Sequence, residues 1–479
     1  MNRQRLVLLA LVAALALIVS ACGAPAAPVQ VDTGAAEEEA APAAADEIMT
    51  VNLVARCKAS PPYENGRCDN LTAAVDAANA VLEASDDNRR IALETIQDDT
   101  GWGDYKTEFE LASDAGEAPD IIVSGHEHIG DWATAGYLVD ISEQVNSGEF
   151  AEFEDVIDSL WESTMLEGKI WGIPQDAEAR PLYFSKLLLS ELGWSAEEIE
   201  ALPGRIESCD YTWQDMFDTA QQAVEAGVVN EGEGWWHRPS NGPDFLYYYF
   251  AAGGEIESDL DALVFDTAAA QTVYELLHNA VHERKIITAN KLDGDWDYHR
   301  EYTASFTNVM FVFEGTWRWA SWHTNYLQDV GGEEYLFENV GFAPIPCMEG
   351  GIGRPITLTH PLVYMISTQS EHPDLALLLL AKTTVKELNT PYAVESGHLG
   401  ILESQADHEA YTSAEFLSAT LSLLEHTTFL PNSPYWSAWS EAYYLGIQAV
   451  ESGDLSPEEA IEVVIDQLQN ELGDNVIIE

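Results

Sequence analysis

Two histidines flank an acid in His126-Glu127-His128, a spacing that could hold a metal ion. A full metalloprotease signature needs its second histidine at 130, and Gly130 stands there. His282-Glu283 fails in the same way, with Ile286 at the critical place. An H-x-H pair needs further ligands, and none lies nearby in the chain, so no metal or other cofactor is expected. Asp293, Asp295 and Asp297 are spaced like the start of a calcium loop, but Tyr298 fills the required glycine position. Asp176 and Glu178 follow the run KIWGIP, and side chains at i and i+2 of a strand face the same way. Two such carboxylates could hydrolyse a glycoside, or accept hydrogen bonds from sugar hydroxyls with no bond broken. No G-x-S-x-G elbow, Walker loop or G-x-G-x-x-G run is present.

Composition narrows the partners. Lys and Arg number 21 against 82 Asp and Glu, giving a formal net charge of −61. Nucleic acid is not a partner for such a chain, because its phosphates need Lys and Arg. An anionic membrane surface would also repel it. The charge suits an acidic shell in high salt, where screening relieves self-repulsion; an acidic habitat or cationic partners are the alternatives. Fourteen tryptophans serve either as core fillers or as flat binding faces.

The elements that must position these groups begin after a leader. MNRQRLVLLALVAALALIVSAC has a basic start, an apolar run and small residues, which reads as a secretory signal over 1–21. Val19-Ser20-Ala21-Cys22 resembles the bacterial lipobox, which implies cleavage before Cys22 and a lipid on its sulfur. Residues 23–46 are Ala, Pro and Glu with almost no core formers, a disordered tether reaching roughly 80 Å when stretched. No later run is long enough to span a membrane, and LALLLLA at 375–381 reads as a buried helix face. The protein is expected outside the cytoplasm, where cysteines pair. Cys57 and Cys68 bracket a short polar loop and form one bridge; Cys209 and Cys347 are the pair left over. The folded part is long enough for two lobes. IMTVNLVARC, RRIALETIQ and DIIVS read as strands alternating with helices, which argues for an α/β fold. Ser456-Pro457-Glu458-Glu459 marks a capped helix start near the C-terminus.

Three segments together resemble the family 1 extracellular solute-binding proteins. They are GEAPDIIVSGHEHIGDWATAGYLVDIS (116–142), EGKIWGIPQDAEARPLYFSKLLL (167–189) and FVFEGTWRW (311–319). The family's Gly-Lys-x-x-Gly-x-Pro strand and Gly-x-Trp turn are both matched, with Ser185 where the family has Asn. The resemblance implies a type II periplasmic-binding-protein-like α/β fold, with two lobes joined by crossing hinge strands and a cleft between them. The first lobe would hold about 47–176 plus 361–420, the second about 177–360 plus 421–479. It implies a monomeric, lipid-anchored carbohydrate-binding component of an ABC-type importer, working with a membrane permease and a cytoplasmic ATPase, and not an enzyme. Ser124, Glu127 and His128 fall where the maltose-binding member has Trp, Asp and Arg, so the acid is kept and the other two differ. Glu178 matches a carboxylate contact, with Gln175, Asp176 and Arg180 beside it, and Trp317 matches a sugar-stacking position, with Trp319 nearby. Trp235, Trp236 and Asp244, then Trp436 and Trp439, lie in segments that would complete the cleft. Pyranose rings offer an apolar face to Trp and a hydroxyl rim to carboxylates. The alternatives are a non-sugar solute (a glycerophosphodiester, polyamine or peptide) or a secreted glycosidase using Asp176 and Glu178.

Overall fold

The computed structural model describes residues 47–58, 66–257 and 262–479. The signal, the lipidation site Cys22 and the tether lie outside the described residues. The chain from Ile48 onward forms one unit built on a five-stranded and a four-stranded sheet, with two further two-stranded sheets among the described residues.

The first sheet starts with β1 (Met49–Lys58), whose inward residues Val51, Leu53 and Ala55 are buried. Helix α1 (Gly66–Ala84) returns the chain to β2 (Arg89–Asp98), which pairs parallel to β1. Helix α2 (Trp102–Ala115) ends at Gly116, whose φ of 74° gives the left-handed turn that favours glycine. The wholly buried β3 (Ile121–Gly125) then pairs parallel on the other side of β1. After the short helix α3 (His128–Thr134), the sheet is completed by two distant pieces. These are β4 (Ile173–Pro174) and, much later, β9 (Leu362–Ile366), and the strand order is β2-β1-β3-β9-β4 with β9 antiparallel to its neighbours. Helix α4 (Pro373–Thr383) covers this core; every residue from Leu375 to Ala381 is buried, so the LALLLLA run is enclosed on all sides.

The second sheet has the order β8-β5-β7-β6, from β5 (Leu182–Ser185), β6 (Trp235–Trp236), β7 (Phe311–Phe313) and β8 (Val340–Ala343). Its core is aromatic, with Trp213, Trp235, Tyr248 and Phe313 in mutual edge or tilted contact. Helix α5 (Lys386–Ser396) follows α4. Leu399, Ile401, Tyr411, Phe416 and Leu417 bury their side chains in the larger core, which also takes in Val156 and Leu160. Helices α6 (Trp436–Ser452) and α7 (Pro457–Leu472) close that core, and Ser456 and Glu459 make the capping box read from the sequence.

Extended segments run side by side where the chain passes between the sheets. Ala177 and Leu399 exchange backbone hydrogen bonds of 3.0 and 2.7 Å. On the other side, the hydroxyls of Thr359 and Thr357 accept from the backbone N–H groups of Glu178 (3.0 Å) and Arg180 (2.7 Å). The N–H groups of the same threonines donate to His426 and Thr428 carbonyls, so four strands of backbone are tied together. Disulfides join Cys57 to Cys68 and Cys209 to Cys347. Among the described residues no helix is long and apolar enough to cross a membrane.

Candidate ligand-binding site

The crossing strand from Gln175 to Arg180 carries the centre of the site. Asp176 and Glu178 do face one way: the Nε2 of His398 lies 4.0 Å from Asp176 Oδ2 and 3.6 Å from Glu178 Oε1. Their partners separate them. Asp176 Oδ1 accepts from the Leu362 N–H at 2.9 Å and Oδ2 from the Tyr392 hydroxyl at 2.6 Å, so both oxygens are used by protein. Burial pushes its carboxyl up. The Gln175 amide NH2 donates to the carbonyl of Arg67 and the hydroxyl of Tyr364, while its Oε1 is buried without a partner.

Glu178 meets the Arg180 guanidinium at 2.8 Å, and Arg180 also pairs with Asp244. Burial alone would raise the Glu178 carboxyl, but the Arg180 charge and a His398 hydrogen bond hold it at about 2. Arg238 reaches the second oxygen of Asp244 at 3.1 Å. The Arg180 guanidinium carbon lies 5.0 Å from the Trp317 ring centre, and His398 stacks on the same indole at 5.6 Å with the planes 13° apart.

The loop after β3 supplies the other half. Glu127 accepts from His360 Nε2 at 2.5 Å and lies 3.5 Å from His128 Nε2. Burial would raise its carboxyl, but His360 and His128 hold it well below the carboxylate range. His360 is shifted up: burial opposes its charge, and Glu127 more than compensates. Ser124 and His128 are bonded to each other, Oγ to Nδ1, at 2.7 Å. His126 turns away from them to Asn432, Nδ1 to Oδ1, at 2.9 Å. Burial holds both His126 and His128 neutral, at about 4. The two histidines of the H-x-H pair thus serve different partners.

Exposure separates the lining from the support. Arg180, His398 and Asp176 side chains are at most 3% exposed, whereas those of Glu127, His128, His360 and Arg238 keep 13–16%. Trp317 is also half-buried. A cavity of about 500 Å³, within the range of small-molecule sites, lies beside His126 and is not lined by these groups. Phe429, Asn432 and Tyr435 line it, and Phe429 packs edge-on against His126.

Other candidates sit elsewhere. Trp319 lies flat on Phe416 with ring centres 4.3 Å apart, and Trp235 is sealed in the aromatic core. Trp439 donates to the Val264 carbonyl at 2.9 Å and stacks on Trp436. Trp236 is stacked on Tyr302 and His299, with Lys291 Nζ 3.5 Å from its ring centre. These five indoles are core, because their faces are taken by protein. Asp295 of the calcium-like run caps the helix Trp296–Ala304 by accepting from the N–H groups of Asp297 and Tyr298. The sequence reading missed His360 and His398. The only signal was position: one ends the crossing segment ITLTH, and the other follows Gly397, whose φ is 71°.

The model for the bacterial extracellular solute-binding proteins matches residues 94–387, more than half of the chain. The chain belongs to that family. This solute-binding protein is 21% identical over 346 residues to a binding protein of Brucella abortus, covering 72% of this chain and 77% of that one. A maltodextrin-binding protein of Bacillus subtilis is 29% identical over 92 residues, 19% of this chain and 20% of that one. Maltose-bound T. maritima MalE3 superposes with a TM-score of 0.69 at 16% identity, over 88% of this chain and 100% of the other. The Streptomyces glaucescens GacH receptor does so with a TM-score of 0.66 at 18% identity, over 89% and 100%. At these identities the likeness is one of fold: the solute-binding protein has the two-lobe type II α/β architecture.

Proposed function

We propose that this solute-binding protein captures a carbohydrate between its two lobes and delivers it to the permease of an ABC-type importer. The observation that carries the reading is the meeting of Glu127, Glu178, Arg180, Asp244, His360 and Trp317 in one cluster. They come from separate segments on both sides of the crossing strands, and charged groups so deeply placed mark functional sites. Trp317 and the partly exposed polar groups beside it are the pieces a sugar's apolar face and hydroxyl rim require. Solved relatives of this fold hold maltose, acarbose and tagatose. In this reading the first lobe is built on β1–β4 and β9, the second on β5–β8, and the lobes close on the ligand. Closure is driven only by the ligand's differential affinity for the closed form.

Binding without hydrolysis is the reading supported by the carboxylates. Asp176 is occupied by Leu362 and Tyr392, and Glu178 by Arg180, so neither is free as an acid or a nucleophile. The protein acts outside the cytoplasm, tethered through a lipid on Cys22. Calorimetric titration with a panel of sugars, with chromatography of the sugars afterwards, tests the main claim. Saturable heat with intact sugar supports it; shortened products, or no sugar binding, overturns it. Loss of lipid labelling and of membrane retention in C22A tests the anchor.

A further inference from the structure

The charges of the site answer one another. Glu127 has His360; Glu178 has Arg180 and His398; Asp244 has Arg180 and Arg238. A charged ligand entering here would find no uncountered partner. Burying an ion without one is strongly unfavourable.

What the site leaves unsatisfied is of another kind. The Nε2 of His126, the Nδ1 of His398 and the Oγ of Thr316 are buried without a hydrogen-bond partner in the protein. Thr316 precedes Trp317 and is fixed by its backbone N–H, which donates to the Ala179 carbonyl at 2.9 Å. Gln175 Oε1 and Arg238 Nε are also buried without a hydrogen-bond partner. The set therefore mixes an obligate acceptor (Gln175 Oε1), an obligate donor (Arg238 Nε) and groups able to serve as either. An ammonium group offers only donors and a carboxylate or phosphate only acceptors. A hydroxyl offers both, and buried polar groups left without partners are costly.

We infer that the site selects an uncharged polyhydroxylated sugar and rejects sugars bearing a fixed amino or carboxylate charge. This rests on the carbohydrate reading above and adds the ligand's charge class to it. The test is calorimetric titration of the full-length protein with matched sets. One set holds neutral mono- to tetrasaccharides, one the corresponding glucosamine sugars, and one the corresponding uronic acids; spermidine and glycerol 3-phosphate are included. The expected result is binding of a neutral sugar, with its amino and uronic counterparts weaker by about a hundredfold or more. A charged sugar binding within tenfold of its neutral counterpart, or better, overturns the inference and leaves the carbohydrate reading standing. Binding of spermidine or glycerol 3-phosphate in place of every sugar, or of nothing in the panel, overturns both.

Discussion

Gly130 of α3 lies directly on the backbone of Ser433: a Cβ added at Gly130 would come within 2.4 Å of the Ser433 carbonyl carbon. The contact joins the helix that follows β3 to the segment leading into α6. It is reinforced by His126 on Asn432 and by Asp131 and Lys106 on Ser437, at 2.9, 2.9 and 3.0 Å. The glycine that spoils the metalloprotease pattern is thus a packing requirement between the two halves.

Replacing Gly130 by alanine should therefore oppose closure. Overpacking of this kind costs roughly 1–3 kcal/mol. If the lobes close on a sugar through this contact, as proposed, the penalty falls on the closed form and affinity should drop about tenfold or more. Calorimetric Kd values for wild type and G130A check this, and an unchanged Kd would remove Gly130–Ser433 from the closing interface.

Trp317 and Trp319 should behave as opposites. W319A empties a buried position against Phe416 and should lose roughly 3–5 kcal/mol of stability in urea unfolding. W317A removes the half-buried indole beside Arg180 and should weaken sugar binding more than tenfold with a smaller stability loss. Comparing unfolding free energy and Kd for the pair separates core from site.

Arg180 holds two buried carboxylates, so R180M should destabilise by roughly 3–5 kcal/mol by leaving Glu178 and Asp244 short of a counter-charge. Adding E178Q to R180M should restore part of that loss. A double-mutant cycle should give a coupling of about 1 kcal/mol or more, and strictly additive losses would argue against the pair.

Stability should depend on pH in two opposed ways. Burial holds His126, His128 and His299 at about 4, so the unfolded chain, protonating near ~6.5, binds more protons in between. Stability therefore falls as pH drops from about 6.5 towards 4, by an order of 1–3 kcal/mol per histidine. His360 and His398 run the other way. Burial lowers them, but Glu127 for one, and Asp176 and Glu178 for the other, raise them overall. Their contribution is full below about 6.5 and is lost as pH rises through their folded values. Urea midpoints from pH 4 to 9 should show a flatter acid limb for H128Q. The deficit of H360Q should shrink at alkaline pH.

The two disulfides should contribute unequally. Cys57–Cys68 spans a sequence separation of 11 and Cys209–Cys347 one of 138. Constraint of the unfolded chain gives about 3 kcal/mol for a short loop and about 5 for a long one. Unfolding of C57S/C68S and C209S/C347S should rank in that order.

The sequence by itself determined what depends on neighbours along the chain. The strand-forming runs of β1, β2 and β3, the Ser456 cap and the i, i+2 pairing of Asp176 with Glu178 are all local, and their types fix them. It also carried the ordered motifs from which the two-lobe fold was readable. Tertiary structure alone decided which polar groups are spent and which remain. Asp176 and Glu178 are chemically alike and two residues apart, yet one is sealed by Leu362 and Tyr392 and the other is paired with Arg180. The tryptophans divide in the same way, since a face is available only if no distant ring such as Phe416 or Tyr302 covers it. His360 and His398 entered the site because crossing segments far apart in sequence lie side by side, a pairing written in no local pattern. The physical reason is that hydrogen bonds and ring contacts saturate. Which partner saturates a given group depends on long-range packing, and so does the group's role.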